Sequence, residues 1–289
     1  MATGATEFID STTADVFIPE VWSPLAIVAR ESALVFAKLV DVRYMKGLKY
    51  GDIINVPTGG NLAARSKAKA TNAAITFETI TETNTQITIA TWEYAAIAVE
   101  SIVNVQANRD LLEFYAGKLG YALGLAYDDA LAALPDDFTQ TVGVLAVENS
   151  DNELIRSRQY LDDADAPRTE RYFVFSPAAE GGLLKLQRFV SNDYTALHGS
   201  GAPATLLESA YMTTFYRIPI YVSVNVEGTN AAGHDNTLFH REAIAGAMQM
   251  SPTARHMYDI DYLVDKVAVE QISGVREMRD SHGVWIQGA

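Results

Sequence analysis

Residues 108–134 read NRDLLEFYAGKLGYALGLAYDDALAAL. Asn108 stands where a helix takes a side-chain cap, and Asp110 and Glu113 lie near the positive end of the helix dipole. Leu112, Tyr115, Leu119, Ala122, Leu123, Ala126 and Ala130 then recur at helical spacing as one apolar stripe. At 1.5 Å per residue the segment predicts a helix roughly 40 Å long. Gly117, Gly120 and Gly124 each lower its intrinsic propensity by about 1 kcal/mol relative to alanine, and mark close packing or a bend. Pro135 ends it.

Upstream, AITFETITETNTQITIATWEYAAIAVE (74–100) is dense in Thr and Ile. Ile87, Ile89 and Thr91 fall on one face of an alternating run, a pattern that favours long extended strands. Before it, DVRYMKGLKYGDIINVPTGG (41–60) predicts a short strand around Ile53–Val56, closed by Pro57 and a Gly59-Gly60 turn. Between the two lies GGNLAARSKAKATN (59–72), with Arg65, Lys67, Lys69 and no acidic residue. This polar excursion has too little to bury to form a core of its own, so strands and excursion together make a long hairpin-like loop. Earlier still, the first 18 residues are small and polar and read as a weakly structured arm. FIPEVWSPLAIVARESALVFAKLV (17–40) follows, with Ser23 as a cap and Pro24 in the first turn of a helix at about 24–39.

Downstream, NSDNELIRSRQYLDDA (149–164) and AAEGGLLKLQRFV (178–190) read as helices, and RYFVFSP (171–177) and RIPIYVSVNV (217–226) as strands. Their alternation suggests an α/β unit. SNDYTALHGSGAPATLLESAYMTTF (191–215) is a long surface loop rich in small residues. DNTLFHREAIAGAMQM (235–250) ends as strand or short helix. From 256 onward the chain is strand-like, with an alternation suited to pairing with earlier strands rather than starting a new domain.

The 289 residues are 48% hydrophobic and 20% charged, ordinary values for a soluble globular protein. Cysteine is absent, which removes disulfides, thiolate metal sites and cysteine nucleophiles. There is neither a secretory signal pattern at the N-terminus nor the ~18–20 apolar residues in a row that a membrane span needs. A soluble, intracellular, acidic chain is expected. The net charge of −14 opposes generic DNA binding, although a local basic patch leaves a nucleic-acid-binding module as an alternative.

Signals for catalysis are weak. No G-x-S-x-G stands at a strand-to-helix turn, and HGSG at 198–201 lacks a partner constellation. His198, His234, His240, His256 and His282 show no H-E-x-x-H spacing, and His234 beside Asp235 in GHDN reads as a turn. VPTGGNLAARSK lacks the pattern that cradles phosphates. Asp128-Asp129 and Asp136-Asp137 read as solvated faces. No catalytic, cofactor or metal site is expected, and the chain does not read as an enzyme. Trp22, Trp92 and Trp285 are each core or subunit-contact anchors. Residues 128–170 carry eleven Asp or Glu against three Arg, so a basic excursion and an acidic body are complementary between copies of one chain. Such complementarity suits heterologous assembly, in which one patch meets a different patch on the next subunit.

The order of these segments resembles that of tailed-bacteriophage major capsid proteins. FIPEVWSPLAIVARESALVFAKLV, with its Pro-Glu-Val-Trp-Ser motif, resembles that family's N-terminal arm leading into a short helix. GDIINVPTGG, the excursion and the Thr-rich return resemble its extended loop. WEYAAIAVESIVNVQANRDLLEFYAGKLGYALGLAYDDAL resembles the strand entering the long spine helix. RYFVFSPAAEGGLLK and RIPIYVSVNV resemble the axial domain, and GVREMRDSHGVWIQGA the closing strands.

The resemblance implies an α+β chain with the Hong Kong phage capsid fold. It implies an arm and short helix at 1–45, an extended β-hairpin loop at 46–91, and a peripheral domain with the spine helix at 92–135. An α/β axial domain at 136–240 and a return to the peripheral sheet at 241–289 complete the expected layout. It implies a virion shell protein, assembled in the host cytoplasm as hexamers and pentamers that close into an icosahedral shell around double-stranded DNA. Arg65, Lys67, Lys69 and Trp22 are then intersubunit contacts. The implied partners are the chain itself, a separate scaffolding protein, a portal and, in some members, a decoration protein; the DNA is bound without sequence preference, and no membrane is involved. Some members cross-link a loop Lys to a neighbour's Asn, but no matching Asn or acid is identifiable here, so no cross-linking is expected. An encapsulin-like compartment shell, which shares the fold, is the nearest alternative.

Overall fold

The computed structural model describes residues 32–45, 51–60, 62–67, 69, 74–106, 111–186 and 214–288. The arm, most of the expected 24–39 helix, Trp22, HGSG and the loop at 191–213 lie outside them. The helical elements are α1 (Phe36–Leu39), α2 (Ser101–Gln106), α3 (Leu111–Ala132), α4 (Asp151–Asp163) and α5 (Pro177–Leu183). The strands are β1 (Ile53–Thr58), β2 (Thr83–Thr88), β3 (Thr91–Glu100), β4 (Thr141–Gly143), β5 (Arg171–Phe175), β6 (Thr214–Phe215), β7 (Ile218–Val222), β8 (Gly228–Thr229), β9 (Gly233–His240), β10 (Ile244–Asp259), β11 (Val264–Glu277) and β12 (Gly283–Gly288).

The long helix is α3, 22 residues or roughly 33 Å. Only its C-terminal half is deeply buried. Leu123, Tyr127 and Leu131, four residues apart, face the interior, whereas Tyr115 and Ala122 of the expected stripe are exposed. The buried positions are those where the Leu123 carbonyl meets Gln271 of the sheet and the Tyr127 hydroxyl lies against Gly246. Of the three glycines only Gly124 marks close packing: a Cβ there would stand 2.8 Å from Leu34 Cδ1. Pro135 sits inside a 3-10 turn, Leu134–Asp137, where the missing N–H costs nothing.

Asp128 overturns its expected place on a solvated face. It is fully buried, and its carboxylate accepts from Val35 N (3.3 Å), Ala37 N (3.0 Å) and Asn225 Nδ2 (2.9 Å). A carboxylate on α3 therefore supplies acceptors for the unpaired N–H groups at the start of α1. This also explains why helix begins at Phe36, while residues 32–35 are non-helical within the expected 24–39 span.

α3 lies on a three-stranded antiparallel sheet of order β10-β11-β3. Gln271, buried on β11, ties sheet to helix by donating to the Leu123 carbonyl (2.9 Å) and Glu93 Oε2 (2.6 Å). β1 and β2 form a separate antiparallel pair, running from Ile53↔Thr88 to Thr58↔Thr83. Pro57 does not end β1 but pairs with Asn84, which a strand partnered on one side tolerates. The base of this hairpin is anchored by Ile87 and Ile89, which pack with Ala245 and Ala247 of β10.

The other layer is a mixed seven-stranded sheet, β4-β12-β9-β5-β7-β6 with β8 added beside β9. β5 and β7 are parallel, as are β12 and β4. Leu154 and Leu161 of α4 and Leu183 of α5 pack against Phe173, Phe175, Leu238, Val284 and Ile286 of the sheet. The sheet is buried on both faces: Phe173, Leu238, Val284 and Ile286 have no exposed surface on this one, and Val174 and Phe239 have none on the other. His234 and Asp235 belong to β9 rather than to a turn, which falls at 230–232 instead.

The segment 241–289 divides. β10 and β11 join β3 in the sheet beneath α3. β12 does not return there: it inserts between β9 and β4, because Val284 and Ile286 complete the other core. No described helix is long and apolar enough to cross a membrane.

Candidate assembly surface

The segment joining β1 to β2 spans 59–82, and its described residues are irregular and exposed. Its two limbs are held together at the root. Ala63 N donates to Glu78 Oε2 (3.2 Å), and Asn84 and Gln86 both donate to Asn55 Oδ1 (2.7 and 2.9 Å). Beyond that root nothing within the described subunit packs on it. Arg65, Lys67 and Lys69 are exposed, and no described carboxylate pairs with them. Leu62, Ile75, Phe77 and Ile80 are exposed too, Phe77 at 84%. The excursion thus carries more apolar surface than its polar centre suggests, projecting away from any core of its own.

The acidic span 128–170 is less free than its charge implies. Asp128 is buried, Asp162 holds Arg168 (3.2 Å) and Arg171 (2.7 Å), Glu148 holds Lys185, and Glu153 completes a capping box with Ser150 at the start of α4. A different carboxylate cluster appears only in three dimensions. Burial raises Asp136, with Asp137 and Asp235 adding to the effect. Burial likewise raises Glu227, with help from Asp136 and Asp235. Glu277 is pushed up to about 7 by burial and by the carboxylates of Asp280 and Asp137. Its members come from four separated stretches of chain, so no sequence window contains them.

The three-stranded sheet presents further apolar surface. Trp92 and Tyr94 on β3 are exposed, as are Ile260, Tyr262 and Leu263 at the β10–β11 turn and Ile102 and Val103 on the neighbouring α2. Trp92 is therefore not a core anchor; its Nε1 donates to Glu270 Oε2 (3.2 Å). Trp285 is partly buried at the rim of the core and donates to Asp235 Oδ1 (2.9 Å). A shallow cavity of about 430 Å³ lined by Ala96, Ile97, Met257, Val267 and Ala268 lies on the same sheet. The turn and α2 adjoin where Ser101 N donates to the Leu263 carbonyl (3.0 Å), and a group of exposed apolar side chains of this kind is a mark of protein–protein contact.

No protein-family model matches this sequence, and no curated protein sequence matches it. Solved structures do. A chain from Mycobacterium phage Che8 superposes with a TM-score of 0.80 at 22% identity, over 93% of this chain and 97% of that one. The capsid structure of Cyanophage P-SCSP1u gives 0.76 at 15% identity, over 96% and 94%. The mature capsid of bacteriophage PhiM1 gives 0.74 at 13% identity, over 99% and 96%. The polypeptide has the fold of phage capsid chains, the Hong Kong phage capsid fold, along nearly its whole length.

Proposed function

We propose that this chain is the major capsid protein of a tailed double-stranded DNA bacteriophage, assembling as hexamers and pentamers into an icosahedral shell around the genome. The observation that carries the reading is the excursion at 59–82: it exposes Leu62, Phe77 and three cations on a capsid-type fold. Side chains of that kind gain burial only when another molecule covers them. Under this reading residues 46–91 are the extended loop, lying across a neighbouring subunit. α3 and the sheet beneath it form the peripheral domain, and the seven-stranded sheet, with β12 included, forms the axial domain.

Arg65, Lys67 and Lys69 meet carboxylates of the neighbour. The Asp136, Asp137, Glu227 and Asp235 cluster is the surface most relieved by incoming positive charge, because burial and the neighbouring carboxylates already raise Asp136 and Glu227. Trp22 is a second contact, carried by the arm. A separate scaffolding protein guides closure, a portal occupies one vertex, and the chain has no catalytic role. Subunits are not covalently joined, so assembled shells dissolved in hot detergent run as monomer.

The test is expression of the full chain, alone and with its scaffolding protein, followed by electron microscopy and sedimentation. Closed shells or hexamers and pentamers are expected. Deleting residues 61–71 leaves folded subunits that no longer close shells. A chain that stays monomeric at high concentration with its scaffold supplied overturns the reading.

A further inference from the structure

Three side chains distant in sequence meet where the seven-stranded sheet hands the chain to β10. His240 ends β9, Glu242 lies in the Arg241–Ala243 turn that follows, and His282 lies in the Asp280–His282 turn before β12. One ring nitrogen of each histidine and a Glu242 carboxylate oxygen lie within 4.8 Å of one another. The two rings meet edge to face, with centroids 5.7 Å apart. We propose that His240, Glu242 and His282 form a binding site for a divalent transition-metal ion of the zinc class, at the joint between the two sheets.

The ligand set has the right chemistry. Two imidazoles and one carboxylate, with water in the fourth position, are a recurrent zinc donor set, and imidazole selects against hard cations such as Mg²⁺ and Ca²⁺. Both histidines are buried. Burial lowers the pKa of each, and Arg279 lowers His282 further, so the rings are neutral and each keeps a lone pair at neutral pH. His282 Nδ1 is buried with no hydrogen-bond partner among the described residues, a position native proteins seldom leave empty.

The surroundings supply orientation and solvent access. Glu242 Oε1 accepts from Arg43 Nη2 (2.8 Å), and the same guanidinium is gripped by Asp41 Oδ2 (2.6 Å). Groups behind a ligating carboxylate fix its direction in this way. Arg43 and Glu242 also line an open polar cavity of about 360 Å³, so solvent reaches the carboxylate member of the set.

Binding has a definite cost. His240 Nδ1 accepts from Glu242 N (3.2 Å). A metal on Nδ1 takes that lone pair, and a metal on Nε2 moves the ring proton to Nδ1, so either mode breaks this bond. Its loss frees the Arg241–Ala243 turn. That freedom is needed, since ligand atoms around tetrahedral zinc sit roughly 3.3 Å apart given bonds near 2.0–2.1 Å. Arg43, Arg279 and Arg171 oppose an incoming cation, while Glu170 and Glu242 favour it. The bound ion would tie the end of β9 to the starts of β10 and β12, and so stabilise the native joint.

The experiment is a Co²⁺ titration of metal-free full-length protein, read by visible absorption, with Zn²⁺ displacement and a Zn²⁺-dependent Tm. Expected are saturation at about one equivalent, intense d–d bands of a low-coordinate site, displacement by Zn²⁺ and a raised Tm. His240→Ala and His282→Ala each weaken binding by more than about tenfold, and Glu242→Gln, which preserves shape, by about tenfold. His256→Ala, at an exposed histidine beside Asp265, leaves it unchanged. Absence of the bands, or affinity unaltered in both His282→Ala and Glu242→Gln, overturns the proposal. Should the histidine variants fail to fold, unaltered affinity in Glu242→Gln alone overturns it.

Discussion

Phe173 and Phe77 are the same side chain in opposite settings. Phe173 stacks on Phe175 with centroids 5.4 Å apart, meets Phe215 edge-on, and has no exposed surface. Phe77 stands in the excursion with nothing over it. The first stabilises the subunit by leaving water during folding; the second leaves water only if another molecule arrives. Under the proposed function, stability of the subunit and stability of the assembly would be carried by different residues of one chain, and substitutions would separate them.

The largest effect on the subunit is expected from Phe173→Ala, at about 3–5 kcal/mol in chemical denaturation, because its cavity is walled by packed side chains on every side. Asp128→Ala follows, at about 2–4 kcal/mol: it strands the N–H groups of Val35 and Ala37 and the Asn225 amide in a buried site. A smaller, pH-dependent effect belongs to Glu277. Its carboxyl is raised from an ordinary 4.5 to about 7, so the native state holds a proton that the unfolded chain has lost. The stability from that proton is complete below about 4.5 and is lost as pH climbs through about 7. Thermal melts across this window should fall more steeply for the wild type than for Glu277→Gln.

At the small end, Phe77→Ala should change subunit stability by no more than about 0.5 kcal/mol. It should nonetheless reduce shell yield in sedimentation, and equal yields would break the contrast with Phe173. The triple variant Arg65→Gln, Lys67→Gln, Lys69→Gln should leave the subunit equally unmoved. Its assembly rate should drop at low salt and converge on the wild-type rate as ionic strength rises, because screening erases the difference.

Local pattern made much of this fold legible. Helical spacing announced α3, the Thr- and Ile-rich alternation announced the strands before it, and apolar runs announced β5, β7 and β11. Their order along the chain resembled one capsid family, and the superposed structures share that fold. The excursion and its three cations were legible for the same reason, since composition changes abruptly there. Legibility failed where the answer depended on a partner distant in the chain. Of the expected stripe on α3 only Leu123 is deeply buried, joined by Tyr127 and Leu131, because those positions meet α1 and the strands beneath. Asp128 looked like any surface acid beside Asp129, and only the arrival of residues 35–37 and of Asn225 gives its carboxylate three donors.

The sequence by itself determined the element types, the long central helix and the charged excursion, since each depends on periodicity or composition within a few turns of chain. Tertiary structure alone decided that β12 completes the seven-stranded sheet, that carboxylates from 136 to 280 gather into one cluster, and that His240, Glu242 and His282 converge. The physical reason is that burial and electrostatic coupling are set by distances in space, and a chain that folds back across two sheets makes neighbours of residues that no local repeat relates.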